Sequence, residues 1–160
     1  RPVVKYDTAP AWVGQLDKWD VVVINVGHWV DPTSWKNNKP TWIEGFYKIV
    51  RAVRDLTREH DNVLWRTVST RHFQNGDYNS GGVCNFAEPI YDIDYLELTG
   101  GYSTAVQNAI LRDLIPQQNL LDVEHISKPR VDAHKGTDCA HFCLPGPVQV
   151  WNVMLLEKIS

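Results

Sequence analysis

Asp20-Val21-Val22-Val23-Ile24-Asn25-Val26-Gly27-His28 is the run that decides how the chain folds. Its four consecutive β-branched residues leave no polar position for water on either side. Such a run predicts a parallel strand covered on both faces by helices. In open α/β sheets, ligands bind beyond the carboxyl ends of the strands. Asn25, Gly27 and His28 therefore stand where a site is expected, with Trp29 directly after them.

The segments on either side repeat the alternation. Thr41 with Glu44 three residues on reads as a capping box, with Pro40 just before it. Ile43, Phe46, Tyr47, Val50, Val53 and Leu56 then give one apolar face to a helix of about 18 residues, ending near Arg58-Glu59-His60. A second buried strand is expected over Val63 to Val68. A second capped helix starts at Thr104 with Gln107, carries Val106, Ile110, Leu111 and Leu114 inward, and stops at Pro116. Leu120 to Val123 is the third strand. Gly146-Pro147 opens the last helix, with Val148, Trp151, Met154, Leu155 and Ile159 on its buried face. Upstream, Val3-Val4-Lys5-Tyr6 suggests a short strand and Ala11 to Trp19 a brief helix. This order predicts an α/β layered domain.

Two stretches fall outside the pattern. Asp31 to Lys39 is polar around Trp35 and suits a loop lining a groove. Thr70 to about Gly101 is irregular, with Asn75-Gly76, Asn79-Ser80-Gly81-Gly82 and Pro89, and only Tyr91 to Leu98 suggests a short strand or irregular helix. A compact domain rarely keeps so long a loop without a use, so this one should build a site or be stapled, with Cys84 as the staple point.

Composition narrows the function. A chain of 160 residues, 43% hydrophobic and 22% charged, is expected to fold as one domain. A net charge of -3 argues against a nucleic-acid footprint, which needs a basic face. No apolar run approaches the ~20 residues that span a bilayer. The seven tryptophans suit either a core or a carbohydrate site, where a sugar's apolar face stacks on indole. No histidine or cysteine spacing supports a metal site. Three cysteines leave one over in an oxidising compartment, unless all three are reduced and buried.

The chemistry concentrates in Asp138-Cys139-Ala140-His141-Phe142-Cys143-Leu144-Pro145-Gly146, followed by Trp151-Asn152. A carboxylate three residues before a histidine can hold one ring nitrogen while the other addresses a substrate. That is the base and its orienter from a nucleophilic triad. A turn-capping Asp beside a surface His is the plainer alternative.

Four blocks in order give that segment a context. The C-terminal stretch, the strand ending in Gly27-His28-Trp29, the block Arg66-Thr67-Val68-Ser69 with Arg71-His72-Phe73 and Gly81-Gly82-Val83-Cys84-Asn85, and Arg130-Val131-Asp132-Ala133-His134 together resemble the plant trichome-birefringence-like (PC-esterase) family. These are polysaccharide O-acetyltransferases of the GDSL/SGNH esterase class. The resemblance implies a three-layer SGNH-hydrolase-like sandwich with a mainly parallel sheet. It implies His141 as general base and Asp138 as its orienter, a Cys84–Cys139 disulfide, and a partner for Cys143 outside the chain. Asn25, Gly27, His28, Trp29, Arg71 and His72 are the oxyanion or substrate candidates. It further implies a glycan acceptor, an acyl donor as co-substrate with no cofactor, and a Golgi, secretory or extracellular setting.

One departure is large. The family's nucleophile lies in a Gly-Asp-Ser motif, and this sequence has none. Ser80 lacks a strand-turn-helix elbow, Ser69 sits in a block that does not carry the nucleophile, and Ser103 and Ser127 read as turn or cap residues. Residues 1–160 are thus expected to be the C-terminal portion of an acyltransferase domain. Its N-terminal strand and nucleophile elbow, and a cysteine, would be supplied by an N-terminal segment or companion chain. A non-catalytic glycan- or protein-binding module, or a structural subunit reusing the fold, are the competing expectations.

Overall fold

The structure, a computed structural model, describes residues 11–27, 38–92, 98 and 101–160. The expectations for Val3 to Tyr6, for Trp35 and its loop, and for most of Tyr91 to Leu98 lie outside the described residues, as do His28 and Trp29.

Three parallel strands, β1 (Val22–Ile24), β2 (Val63–Arg66) and β3 (Leu120–Leu121), form a sheet in the order β1-β2-β3. Ile24 pairs with Trp65, and Trp65 with Leu120. Parallel neighbours need crossovers. α1 (Lys39–Thr57) lies between β1 and β2 in the chain, and α2 (Gly101–Leu114) between β2 and β3. A single-turn helix α3 (Glu124–Ser127) and the terminal α4 (Pro147–Ile159) follow. The brief helix expected near the start is a 3₁₀ turn, Val13–Lys18.

Helix α1 begins two residues before the expected capping box. Asn38 is its cap, its side chain accepting from the Thr41 N–H at 3.4 Å. Pro40 has no N–H and its fixed φ suits a first turn, so Thr41 is already inside the helix. Glu44 pairs instead with Lys48, at 2.6 Å. The buried face is Trp42, Phe46, Val50, Val53 and Thr57. It is rotated from the expected stripe, leaving Ile43, Tyr47 and Leu56 at the surface.

In α2 the expected cap pair is likewise displaced, because Thr104 and Gln107 lie inside the helix and are buried. Gln107 Nε2 donates to the Gly27 carbonyl at 2.8 Å. Asn108 brackets the Val68 peptide, accepting its N–H at 2.7 Å and donating to its carbonyl at 2.9 Å. Backbone groups past a strand end still need partners when buried, and these two amides supply them for β1 and β2. Gly27 has φ +110°, and a Cβ there would come within 2.8 Å of the Gln107 amide. Only glycine fits both the conformation and the approach.

Trp42, Phe46, Val50, Val63, Trp65, Val68, Ile110, Leu111 and Leu120 form the main core, joining α1 and α2 to one side of the sheet. Alternation along β2 sends Leu64 and Arg66 to the other side. There the strand ends at Arg66 rather than Val68, and β3 ends at Leu121 rather than Val123. Asp122 leaves the ladder because its carboxylate binds Arg112 at 2.8 and 3.0 Å, while the Val123 N–H turns to Thr67 Oγ1 at 2.9 Å.

Burial of β1 on both sides does not hold among the described residues, since Val23 is 40% exposed. Helix α4 differs as well. Val148, Trp151, Met154 and Leu155 are half-buried, but Ile159 is exposed together with Val150, Val153 and Leu156. The helix is therefore apolar on two sides.

Candidate active site

Residues 128–146 carry no strand or helix beyond an isolated Lys135–Asp138 bridge, so hydrogen bonds and a crosslink must hold them. Cys139 is joined to buried Cys84, beside Phe73. The His72 N–H donates to the Cys139 carbonyl at 2.9 Å, and the Cys143 N–H to the Ala133 carbonyl at 2.8 Å. Gly146 completes the loop, since a Cβ there would strike the Cys143 carbonyl. Cys143 is half-buried and in no disulfide among the described residues.

Inside this frame Asp138 folds the chain around its own carboxylate. Oδ1 accepts the N–H groups of Ala140 and His141 at 3.2 and 3.1 Å. Oδ2 meets His141 Nδ1 at 2.8 Å. Burial works against the carboxyl's charge, but the imidazole and the two backbone donors outweigh it and hold the group below the usual carboxylate range. With Nδ1–H directed to Asp138, Nε2 of the neutral ring carries the lone pair. The ring is 65% exposed.

Behind His141 runs a ladder of rings. His72, fully buried, approaches His134 with Nδ1 to Nε2 at 2.6 Å. His72 Nε2 faces the Lys128 carbonyl at 3.0 Å, and His134 Nδ1 faces the His141 carbonyl at 2.8 Å. Burial, and after it the neighbouring His134, takes His72 down to about 4. Burial also lowers His134, against the His141 carbonyl, Asp138 and Asp132, which favour its charge. Asp132 is in turn held by the Arg130 fork at 2.9 and 3.0 Å. Phe142 stacks on His134 at 4.6 Å and meets Trp151 edge-on at 5.7 Å. Trp151 Nε1 donates to Ser127 Oγ at 3.0 Å, and the Arg66 guanidinium lies 4.8 Å over the indole.

These groups surround a cleft of about 250 Å³ lined by Arg66, Ser69, His141, Phe142, Val148 and Trp151. Arg66 Nη1 is buried and has no hydrogen-bond partner among the described residues, and burial lowers the guanidinium from its ordinary value. The arrangement offers an oriented imidazole, a cation and an aromatic wall facing one space. It suits proton abstraction beside a developing negative charge.

The other site candidates fall elsewhere. Asn25 is exposed and donates to the Arg66 carbonyl at 3.2 Å. Gly27 offers its carbonyl to Gln107. Arg71 is half-buried, lowered by burial and partly restored by Asp77, and neither it nor His72 lines the cleft. Arg66 and Phe142 went unassigned at the level of sequence. The available signal was a charged residue ending an otherwise apolar strand, where alternation turns it away from the core. Of the tryptophans, Trp42 and Trp65 are core, Trp151 lines the cleft, and Trp12 and Trp19 are exposed. Among the described residues no cluster of three metal-ligating side chains occurs, and no helix is long and apolar enough to cross a membrane.

Comparison with known proteins adds an independent line. Residues 1–158 match PC-Esterase, described as the GDSL/SGNH-like acyl-esterase family found in Pmr5 and Cas1p. Protein trichome birefringence-like 14 of Arabidopsis thaliana is 30% identical over 96% of the chain and 48% of its own length. Xyloglucan O-acetyltransferase 1 of Arabidopsis thaliana is 28% identical over 92% of the chain and 44% of its length. Xyloglucan O-acetyltransferase 4 of Populus trichocarpa is 33% identical, again over 92% and 44%. The chain spans about half the length of the curated relatives it matches. No solved structure matches.

Proposed function

This chain belongs to the PC-Esterase family, and from that premise we propose that it carries the Asp/His part of a serine-dependent polysaccharide O-acetyltransferase or related esterase. The observation that carries the reading is the Asp138–His141 pair at 2.8 Å, with His141 on the wall of the cleft. His141 Nε2 takes the proton of a serine hydroxyl as its oxygen attacks the acyl donor. The proton then passes to the donor's leaving group, and the acyl group stays on the serine. In the second half His141 deprotonates a sugar hydroxyl, whose oxygen takes the acyl group while the proton returns to serine. Asp138 fixes the tautomer and stabilises the imidazolium in both halves.

The serine belongs to an N-terminal segment or companion chain, which also brings the missing strand and elbow of a three-layer sandwich. The open side of β1 at Val23, the second apolar side of α4 and the lone Cys143 support that reading. Arg66 faces the acyl oxygen as charge develops, in the manner of an oxyanion donor, and Trp151 carries the sugar's apolar face. The Cys84–Cys139 crosslink supports a Golgi, secretory or extracellular setting. No cofactor is needed beyond the acyl donor.

A second reading is favoured by one observation: Ser69 lines the same cleft. It is 4% exposed and no hydrogen bond joins it to His141, so we assign it to the wall. A serine-directed phosphonate probe on the whole protein, followed by peptide mapping, decides among the readings. Label on a serine outside these 160 residues, lost in His141→Ala, is the expected result. Label on Ser69 would move the nucleophile into this chain. Absence of label would leave a glycan- or protein-binding module.

A further inference from the structure

Two neutral rings cannot satisfy all the contacts of the four ring nitrogens of His72 and His134. His72 Nε2 faces the Lys128 carbonyl and His134 Nδ1 faces the His141 carbonyl. A carbonyl only accepts, so both nitrogens must be N–H donors. Two neutral imidazoles own two N–H groups between them, and these contacts use both. The nitrogens that face each other at 2.6 Å would then be two lone pairs. One more proton removes the conflict. It gives an N–H⁺···N bond, of the charge-assisted kind that runs short.

We infer that His72 and His134 share a single extra proton, and that this charged pair is the positioning device that fixes the backbone of His141. The backbone of His141 is held at both ends. Its N–H donates to Asp138 and its carbonyl accepts from His134. The two contacts leave side-chain torsion as the main remaining freedom of that residue. His72 contributes twice, since its own N–H secures the Cys139 carbonyl. The negative groups that face the pair are Asp132, which acts on both rings, and Asp138, which acts on His134. The His141 ring opposes charge on His134, and the Arg130 fork fixes Asp132 in place. Phe142 covers both rings and brings no charge. Taken ring by ring, burial outweighs the two carboxylates and two carbonyls that favour charge, so it is the 2.6 Å contact between the rings, satisfied only by a shared proton, that holds the charge. The same burial and the shared charge prevent a second one. When the pair loses its proton, one of three contacts must break: that to Lys128, that between the rings, or that to His141.

The inference rests on His141 as the base for its kinetic consequence, but its first test does not. Nitrogen-15 NMR of the histidine rings in the whole protein, at the pH of full activity, should show three protonated nitrogens across the pair and one far-downfield shared proton. Two ordinary neutral rings at that pH would overturn the inference, whatever His141 does. Kinetics supply the second test. His134→Phe keeps the stack on Phe142 and removes both nitrogens. It should lower kcat on the order of 10²-fold, the scale for a misplaced catalytic group, with KM little changed. His134→Lys offers donors to both neighbours without a titrating ring. It should recover much of kcat and delete the limb of the pH profile that His134 causes. Equal losses in the two variants, with the limb intact, would reduce the pair to packing. Failure of His141→Ala to abolish turnover would count against the acyl-transfer reading and leave the NMR result standing.

Discussion

The two sides of β2 are built on different principles. Val63 and Trp65 enter a closed core of aliphatic and aromatic side chains from α1 and α2. Leu64 and Arg66 point the other way, where a guanidinium lies over Trp151 and a cleft remains open beside His141. Close packing stabilises the first side, and no side chain of its core titrates. The second side gives up packing for a half-buried cation, an oriented imidazole and space. One strand, by the alternation of its side chains, thus separates what holds the protein together from what it can do.

The largest test of that division is a pair of truncations. Trp65→Ala should cost about 3–5 kcal/mol of unfolding free energy, as deletions of large core aromatics do. Trp151→Ala, at a half-buried position, should cost less than half of that. Urea midpoints measure both. Equal losses would mean that the cleft side is as much a core as the other, and the comparison would fail.

Arg66→Met sharpens the same contrast from the opposite direction. The thioether keeps volume against the Trp151 ring but removes a buried donor that has no partner among the described residues. Removing an unsatisfied buried group is neutral or stabilising, so the melting temperature should hold or rise slightly. Turnover should fall about 10²–10³-fold, the usual cost of an oxyanion donor. A stability loss with turnover preserved would place Arg66 with the core.

Legibility in the sequence follows the same line. The three strands, the two long crossover helices and the proline-led last helix are readable because apolar periodicity marks the elements, although it misplaces part of the buried face of α1, β1 and α4. What misleads is polar burial. Gln107 reads as a capping partner and Asn108 carries no signal, yet both turn inward to satisfy backbone at the ends of β1 and β2. Partners 80 and 40 residues away leave no local trace. Asp138 with His141 is visible because the two lie three residues apart on one turn. His72 with His134 is not, because 62 residues separate them and only the fold brings the rings together. Arg66 is intermediate: its position in an apolar strand marks it as unusual, but its direction needs the register of the sheet.

The smallest effect tests whether the polar side alone responds to acid. Asp132 accepts a two-pronged contact from Arg130, and that hydrogen-bonded guanidinium, against a smaller opposing effect of burial, holds the carboxyl below its ordinary value. A group depressed in the folded state contributes stability that is complete above its unfolded pKa of about 3.9 and is lost as pH falls through the folded value. Both partners keep contact with solvent, so the contribution should stay below about 1 kcal/mol. Urea midpoints of the protein and of Asp132→Asn should therefore differ near about pH 6 and converge toward about pH 3. In the Trp65→Ala background the gap between the two should persist, because the core cluster around Trp65 contains no titrating side chain. If the midpoints run parallel across the whole range, the Arg130–Asp132 fork adds nothing to folding. Its role would then be limited to the field it casts on the His72 and His134 imidazoles.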